Sequence, residues 1–298
     1  MTMSFVPKLL VCDLDNTLYD WVGYFVPSFY AMVDAVVEVT GCDREILLDD
    51  FKKVHQNHHD SEHPFSLLET ATIVGLYPDK SNSEIKELLD PAFYAFNSTR
   101  KRTLALFPGV KETLDVLDSN GIKIVAHTES NLYAVIDRLR RLSLTGYFLK
   151  IYCRERSAAN HPDIGASEKW LADFPMGKVI ELSRHQRKPD ETVLLEICSQ
   201  CGVSAEQAAY AGDSMARDVL MAKKANVFAI WAAYGARHDS DEYEKLVRIT
   251  HWTPEDVERE KQIAKQAQNI RSDFVAENSF ADILQPFGMS VQRYPVHG

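Results

Sequence analysis

Two carboxylates, Asp13 and Asp15, lie one residue apart directly after the apolar run Leu9–Cys12. A β-strand turns alternate side chains to opposite faces, so these two carboxylates should point in the same direction. Like charges held this close repel each other, and a folded protein keeps them only with a bound cation or with a distinct task for each. The pair therefore predicts a catalytic or metal-binding site rather than a loop that carries two solvated acids.

Polar residues also follow three later apolar runs of strand length. They are Thr128 after the run at 122–126, Lys188 after the run at 179–182, and Asp213 and Asp218 after the run at 208–211. Because parallel strands bring their carboxyl ends to the same edge of a sheet, we expect these side chains to lie near Asp13 and Asp15. Carboxylates, a hydroxyl and an ammonium together suit a hard divalent cation beside a phosphoryl group.

Short apolar runs alternate with helical patterns along most of the 298 residues, which predicts an α/β fold with a Rossmann-like parallel sheet covered on both faces. Residues 20–104 interrupt this alternation, because their apolar positions follow the helical period without a strand pattern. We therefore predict an all-helical cap domain at 20–104, inserted above the site, and a catalytic core formed by 1–19 and 105–298. Insertions near 153–178 and 236–272 interrupt the alternation within the core.

Three local signals predict elements late in the chain. Ser204 with Gln207 is typical of a capping box at a helix start. Thr253 followed by Pro254 predicts an N-cap and the first helical residue, and we expect the charged run after them to be a solvated helix face. The stretch at 273–276 predicts a last strand that closes the sheet.

The order and spacing of these residues resemble the four motifs of the haloacid dehalogenase (HAD) superfamily of hydrolases. The matching positions are the Asp-Leu-Asp-Asn-Thr stretch at 13–17 for the first motif, Thr128 for the second, Lys188 for the third, and Gly212, Asp213 and Asp218 for the fourth. The segment at 20–104 resembles the family's helical cap of the C1 type. Members that cleave carbon–halogen bonds lack the second carboxylate of the first motif. This chain has Asp15 at that position, so the resemblance implies the phosphatase branch.

The resemblance implies a role for each acidic residue. Asp13 would attack phosphorus and form an aspartyl-phosphate, and Asp15 would protonate the leaving oxygen and later deprotonate the attacking water. Mg²⁺ would be held by Asp13, by Asp213 and by the backbone carbonyl of Asp15. Asp218 would steady a water bound to the metal.

The resemblance also implies the phosphate site. Thr128 and the backbone N–H of Glu129 would bind phosphoryl oxygens, and Lys188 would neutralise the charge between nucleophile and phosphate. Glu129 stands where many relatives carry Asn, and its carboxylate is unfavourable beside a phosphate unless it turns away or meets a cation. Arg184 and Arg187 are rivals of Lys188, which we prefer because a helical pattern begins just after it.

We predict an enzyme that hydrolyses the phosphomonoester of a small metabolite with Mg²⁺. A phosphotransferase or mutase that uses the same intermediate is one alternative, and a non-catalytic binding protein on the same fold is another. The substrate class stays open among nucleotides, a flavin phosphate and sugar phosphates.

Composition and charge argue against other classes of protein. The formal net charge of −10 disfavours a nucleic-acid partner, which requires clustered Lys and Arg. No apolar run approaches the roughly 20 residues that cross a bilayer, so we predict no membrane association. The five scattered cysteines fit reduced thiols in a cytoplasmic protein.

Four histidines, His55, His58, His59 and His63, crowd one segment of the predicted cap. Acidic residues and a proline accompany them, as in a solvated loop, so we expect solvent exposure. A metal site on the cap and a histidine that contacts the substrate are the alternatives, since spacings of three and four residues can place side chains on one helix face.

Overall fold

The computed structural model describes residues 7–156, 162 and 165–290. Within them, the strands are β1 (Leu9–Cys12), β2 (Lys123–Asn131), β3 (Lys150–Arg154), β4 (Val179–Leu182), β5 (Ala208–Gly212), β6 (Phe228–Ala232) and β7 (Phe274–Ala276). They form one parallel sheet in the order β4-β3-β2-β1-β5-β6-β7. The predicted α/β fold with a parallel sheet is confirmed.

Helices follow most of these strands. The segment between β1 and β2 contains α1 (Trp21–Thr40), α2 (Arg44–His58), a 3-10 helix (Ser66–Glu69), α3 (Ala71–Leu76), α4 (Asn82–Leu88), α5 (Asp90–Thr103) and α6 (Val110–Ser119). The later helices are α7 (Leu132–Arg141), α8 (Ala166–Ala172), α9 (Glu191–Gln200), α10 (Leu220–Lys224), α11 (Ser240–Ile249) and α12 (Pro254–Ala267).

The first strand, β1, lies at the centre of the sheet because its residues are apolar on both faces. Its alternate side chains pack into two hydrophobic layers, one on each face, and the whole strand is buried. Cys12 pairs with Ala126 of β2 on one side and with Ala211 of β5 on the other. The residues that follow these positions therefore share one edge of the sheet.

Two features of the sheet differ from the sequence-based expectation. The apolar pattern does not predict β3, whose five residues begin with Lys150 and end with Arg154. β2 continues to Asn131, so Thr128 lies within the strand and not after it. The pairing of β2 with β3 changes register between His127 and Asn131, as at a β-bulge or a similar irregularity of the ladder.

The segment at 20–104, all of which the structure describes, contains helices and no strand. Its longest helix, α1, packs against α5 and α2, and the Phe29 ring lies 4.8 Å from the Phe51 ring. This segment matches the predicted helical cap, while the bounds of the cap and core domains stay predictions. Of the insertion predicted near 153–178, residues 157–161, 163 and 164 lie outside the described residues.

Among the described residues, α1 is the one helix with the length and apolarity to span a membrane, which corrects the expectation that no run approaches that length. Its most apolar window is 56% buried inside the protein. The buried side of α1 packs against α5. The apolar character of α1 is therefore used to form the interior of the cap.

The histidines of the cap differ from their predicted solvent exposure. His55 and His63 are buried, so the prediction is wrong for these two, whereas His59 is exposed. Nδ1 of His55 lies 2.7 Å from the carbonyl oxygen of Ile249, at the end of α11. A helix distant in sequence therefore covers part of this segment.

The other local predictions have mixed outcomes. Thr253 caps α12 by accepting the N–H of Asp256 at 3.2 Å, and Pro254 is its first residue, as predicted. β7 at the predicted stretch joins the edge of the sheet. Ser204 makes no side-chain capping bond, and a single 3-10 turn, Ala205–Gln207, leads straight into β5, so the predicted capping box is wrong.

Replacement of Phe29 by Ala tests how far the cap depends on its aromatic interior. Phe29 is 2% exposed, so we expect the cavity left by Phe29→Ala to lower the free energy of unfolding by about 3 to 5 kcal/mol. Urea denaturation followed by circular dichroism measures the loss. Tyr94 on α5 is 71% exposed, and Tyr94→Ala should change the same free energy by less than about 0.5 kcal/mol. Equal losses in both variants would contradict the assigned packing.

Candidate active site

Backbone contacts hold the ends of β1 and β5 together at the edge of the sheet. The N–H of Asp13 donates to the carbonyl of Ala211 at 2.9 Å, and the N–H of Leu14 donates to Oδ1 of Asp13 at 2.8 Å. A side chain at Gly212 would collide with the carboxyl group of Asp218. A glycine is therefore required where β5 ends, because it gives Asp218 the space to reach the site.

The Lys188 ammonium bridges two carboxylates at this edge. Its Nζ lies 3.0 Å from Oδ1 of Asp13 and donates to Oδ1 of Asp218 at 2.8 Å. The hydroxyl of Tyr210 also donates to Asp218, at 3.2 Å. One carboxylate oxygen each from Asp13, Asp213 and Asp218 lies within 4.8 Å of the other two. The structure thus brings together four residues of the predicted site, Asp13, Lys188, Asp213 and Asp218.

Burial and mutual repulsion control the charges of this group. Burial raises the pKa of Asp13 to about 7, although the Lys188 ammonium lowers it. Burial, followed by the neighbouring carboxylates Asp218 and Asp13, raises the pKa of Asp213 well above its usual range. Burial disfavours the charged form of Lys188, but Asp13 and Asp218 outweigh it and raise the pKa of that ammonium. A single ammonium therefore leaves the cluster short of positive charge.

The donor set fits a hard divalent cation such as Mg²⁺. Carboxylate oxygens are the ligands that Mg²⁺ prefers in proteins, and a cation among Asp13, Asp213 and Asp218 would relieve the repulsion between them. The side chain of Asp15 is not among the oxygens that converge on this point. The metal ligand predicted from Asp15 is its backbone carbonyl oxygen.

Asp15 has a different set of partners. Its Oδ2 accepts a hydrogen bond from the hydroxyl of Ser130 at 2.5 Å and one from the hydroxyl of Thr128 at 3.5 Å. Its Oδ1 lies 3.5 Å from Nη2 of Arg138. The environment of Asp15 is therefore hydroxyls and a guanidinium, whereas that of Asp13 is carboxylates and an ammonium. Two carboxylates in such different surroundings can perform different tasks.

Sequence reasoning missed Arg138, which lies on α7 and is 1% exposed. Its Nη1 donates to Oε1 of Glu62 at 2.8 Å and to the hydroxyl of Tyr24 at 2.6 Å. Glu62 and Tyr24 belong to the cap segment, so one guanidinium connects the cap to Asp15. A signal was available, because Arg138 lies three residues after Val135 on the apolar face of α7, and an arginine is rarely buried there without a partner.

The Glu129 carboxylate lies among cations. Its Oε2 accepts a hydrogen bond from Nη1 of Arg217 at 3.1 Å, and its Oε1 accepts the backbone N–H of Lys188 at 3.1 Å. Arg187 lies 3.8 Å away. Burial disfavours the charge of Glu129, but these cations, Arg217 foremost, lower its pKa. The Glu129 carboxylate therefore meets cations, which is one of the two conditions under which it is tolerated beside a phosphate. Of the two rivals of Lys188, Arg184 is exposed at the surface.

The charged face of α12 packs beside the site. Its Asp256 pairs with Arg187 at 3.0 Å, and its Glu260 pairs with Arg217 at 2.9 Å. The expectation of a solvated face is therefore wrong for these acids. The local pattern could not show this, because Arg187 lies in a loop and Arg217 in a π-helical turn of the core, 69 and 43 residues before their partners on α12.

Two cavities lie at the boundary of cap and core. One of about 410 Å³ contains the predicted site, and its lining includes Asp13, Asp15, Thr128, Glu129, Lys188, Asp213 and Asp218. The segment of α11 and α12 supplies part of its wall through Tyr243, His251 and Trp252. The other cavity, of about 560 Å³, shares Ser61 and Glu62 with the first. Aromatic side chains of cap and core line it, among them Phe25, Phe93, Phe96, Tyr133 and Trp170.

Comparison with known proteins agrees with this arrangement. A family model described as haloacid dehalogenase-like hydrolase matches residues 7–226, and a second, HAD-hydrolase-like, matches residues 185–278. The chain is 25% identical over 234 residues to a phosphoglycolate phosphatase of Pseudomonas fluorescens, an alignment that covers 78% of this chain and 72% of that protein. It is 24% identical over 240 residues to a glyceraldehyde 3-phosphate phosphatase of Methanopyrus kandleri, with 78% and 87% covered.

Among solved structures, a 2-haloacid dehalogenase from Pseudomonas syringae pv. Tomato superimposes with a TM-score of 0.56 at 19% identity, covering 95% of this chain and 99% of that one. At this identity the likeness shows the fold alone. The first family model covers most of the chain and includes all four predicted motifs. The chain belongs to the haloacid dehalogenase-like hydrolase family, as its motifs predict.

Proposed function

We propose that this phosphatase of the haloacid dehalogenase-like family hydrolyses a small phosphomonoester with Mg²⁺, through an aspartyl-phosphate on Asp13. The observation that supports the proposal most is the convergence of Asp13, Asp213 and Asp218, with the Lys188 ammonium 3.0 Å from Asp13. A phosphomonoester is itself anionic, and a carboxylate attacks it only where positive charge offsets the repulsion. A divalent cation and Lys188 together would supply that charge.

The reaction requires a nucleophile and a separate proton donor. A carboxylate oxygen of Asp13 attacks phosphorus and forms a new P–O bond while the bond to the leaving oxygen breaks, and Asp15 gives that oxygen its proton. Water then attacks the phosphorus, Asp15 takes a proton from it, and phosphate leaves as the carboxylate of Asp13 is restored. Contacts with Ser130 and Arg138 hold Asp15 in place for both proton transfers.

The acidic cluster would hold the metal. Asp13, Asp213 and the backbone carbonyl of Asp15 are the proposed ligands, and Asp218 completes the negative side of the site. Mg²⁺ supplies positive charge for the phosphoryl oxygens. Because a nearby cation favours the ionised form of a carboxylate, it would also keep Asp13 ready to attack.

The phosphoryl group would lie between this cluster and the end of β2. Thr128 and the backbone N–H of Glu129 would donate hydrogen bonds to phosphoryl oxygens. Lys188 would neutralise charge between the nucleophile and the phosphate, a task that suits the compact charge of an ammonium. Its contacts with Asp13 and Asp218 fix the ammonium at that position.

The proposed substrate is a small phosphorylated metabolite of the cytoplasm. The curated relatives act on phosphoglycolate and on glyceraldehyde 3-phosphate. Although the chain has a net charge of −10, Arg154, Arg187 and Arg217 line the cavity that contains the site. Each of these arginines pairs with an acid, so the positive charge for an anionic ligand would come from Lys188 and the bound cation. Nucleotides, a flavin phosphate and sugar phosphates therefore belong in the substrate panel beside the relatives' substrates.

Replacement of Asp13 by Asn tests the nucleophile. We expect Asp13→Asn to lower kcat for a small aryl phosphate by at least about a thousandfold, because an amide cannot form the phosphorylated intermediate. The measurement is release of inorganic phosphate. Asp118→Asn, which changes an exposed acid on α6, should keep wild-type activity. Undiminished turnover in Asp13→Asn would contradict the assignment, and substrate consumption without phosphate release would favour transfer to another acceptor.

Removal of divalent cations tests the metal site. A chelator should abolish turnover and added Mg²⁺ should restore it, since the clustered carboxylates then regain their counter-charge. Asp213→Asn should raise the Mg²⁺ concentration for half-maximal activity by at least about tenfold, with Asp118→Asn as the unchanged control. Full activity in excess chelator would rule out the proposed role of Mg²⁺.

A further inference from the structure

A cluster on the cap combines two imidazoles and a carboxylate. His58 ends α2, His63 lies in the following loop, and Glu69 ends the 3-10 helix. The Nε2 atoms of His58 and His63 lie 2.6 Å and 2.8 Å from the two carboxylate oxygens of Glu69. One ligand atom from each residue lies within 4.8 Å of the other two. We call His58, His63 and Glu69 the cap histidine cluster.

The cap histidine cluster brings two imidazole nitrogens to the two oxygens of one carboxylate. The rings stack with centroids 3.4 Å apart and planes 7° apart, and a metal lies in the plane of an imidazole that binds it, so both rings would turn out of this stack to share one ion. His63 is buried and His58 is half-buried, so Glu69 is the one exposed member of the cluster.

We propose that the cap histidine cluster binds one transition-metal ion of the Zn²⁺ type, with water as a fourth ligand. Two imidazole nitrogens and a carboxylate oxygen are a donor set that Zn²⁺ accepts in tetrahedral geometry. Mg²⁺ prefers oxygen ligands, so the all-carboxylate cluster at the sheet edge and this mixed cluster select different metals. The inference does not depend on the proposed phosphatase mechanism.

A metal ion at this place would fasten the loop at 59–65, because its ligands lie before, within and after that loop. The loop carries two acids onto the core. Oδ2 of Asp60 accepts a hydrogen bond from Nδ2 of Asn131 at 2.7 Å, and Glu62 accepts from Arg138 at 2.8 Å. The ion would thus hold in place the cap segment that borders the active-site cavity.

Titration of the full chain with Zn²⁺ tests the proposal. The protein is freed of metals by chelation and returned to excess Mg²⁺, which occupies the acidic site, and heat of Zn²⁺ binding is then measured. We expect one tight equivalent for the wild type and none for Glu69→Gln or His63→Ala. His59→Asn is the matched control and should bind like the wild type, since His59 is exposed and Asn tolerates its φ of +51°.

Co²⁺ gives a second readout, because a four-coordinate site absorbs visible light much more strongly than a six-coordinate oxygen site. The wild type and His59→Asn should show this absorption, and Glu69→Gln should lose it. The Glu69 side chain is 41% exposed, so Glu69→Gln stays informative even where His63→Ala fails to fold. Equal Zn²⁺ binding by the wild type and Glu69→Gln, or no binding by the wild type, would overturn the proposal.

Discussion

The active site depends on an unbalanced set of charges, in which three carboxylates share a single ammonium. Lys188 lies 3.0 Å from Asp13 and 2.8 Å from Asp218, while Asp213 has no comparable cation beside it among the described residues. Like charges at this separation destabilise a folded chain unless a cation compensates them, and a buried ammonium is equally unfavourable alone. Lys188 and its acids therefore fix one another's positions, and the uncompensated negative charge defines where a divalent cation fits.

The parallel sheet makes this concentration of charge possible. Because β1 has β2 and β5 as neighbours in matching register, Cys12, Ala126 and Ala211 lie side by side, and polar residues just beyond them meet at one edge. The apolar layers on both faces of β1 provide hydrophobic free energy that offsets the electrostatic repulsion at that edge. Gly212 is needed in this arrangement, because a side chain at that position would collide with the carboxyl group of Asp218.

Residues at the strand ends could be predicted from the sequence, because a buried parallel strand appears as a continuous apolar run and its exit residues follow directly. The same rule fails for β3, which begins and ends with a basic residue, and for Thr128, a polar residue inside β2. Contacts between distant segments leave no local pattern. Arg138 is buried because the cap supplies Glu62, and His55 is buried because Ile249, 194 residues later, lies against it.

The segment of α11 and α12 connects the cap to the charge balance of the site. On the cap side, Arg248 of α11 pairs with Asp49 at 2.8 Å, and on the core side, Arg259 of α12 donates to the backbone carbonyl of Lys188 at 2.8 Å. The Arg248 pair is partly exposed, and such pairs contribute about 1 kcal/mol or less. The packing of α1 on α5 is apolar and buried, and is therefore much stronger. A buried contact also links α11 to the cap, because Ile249 is fully buried and its carbonyl oxygen lies 2.7 Å from Nδ1 of His55 on α2. The segment of α11 and α12 therefore joins the cap to the backbone of Lys188 through contacts on both sides.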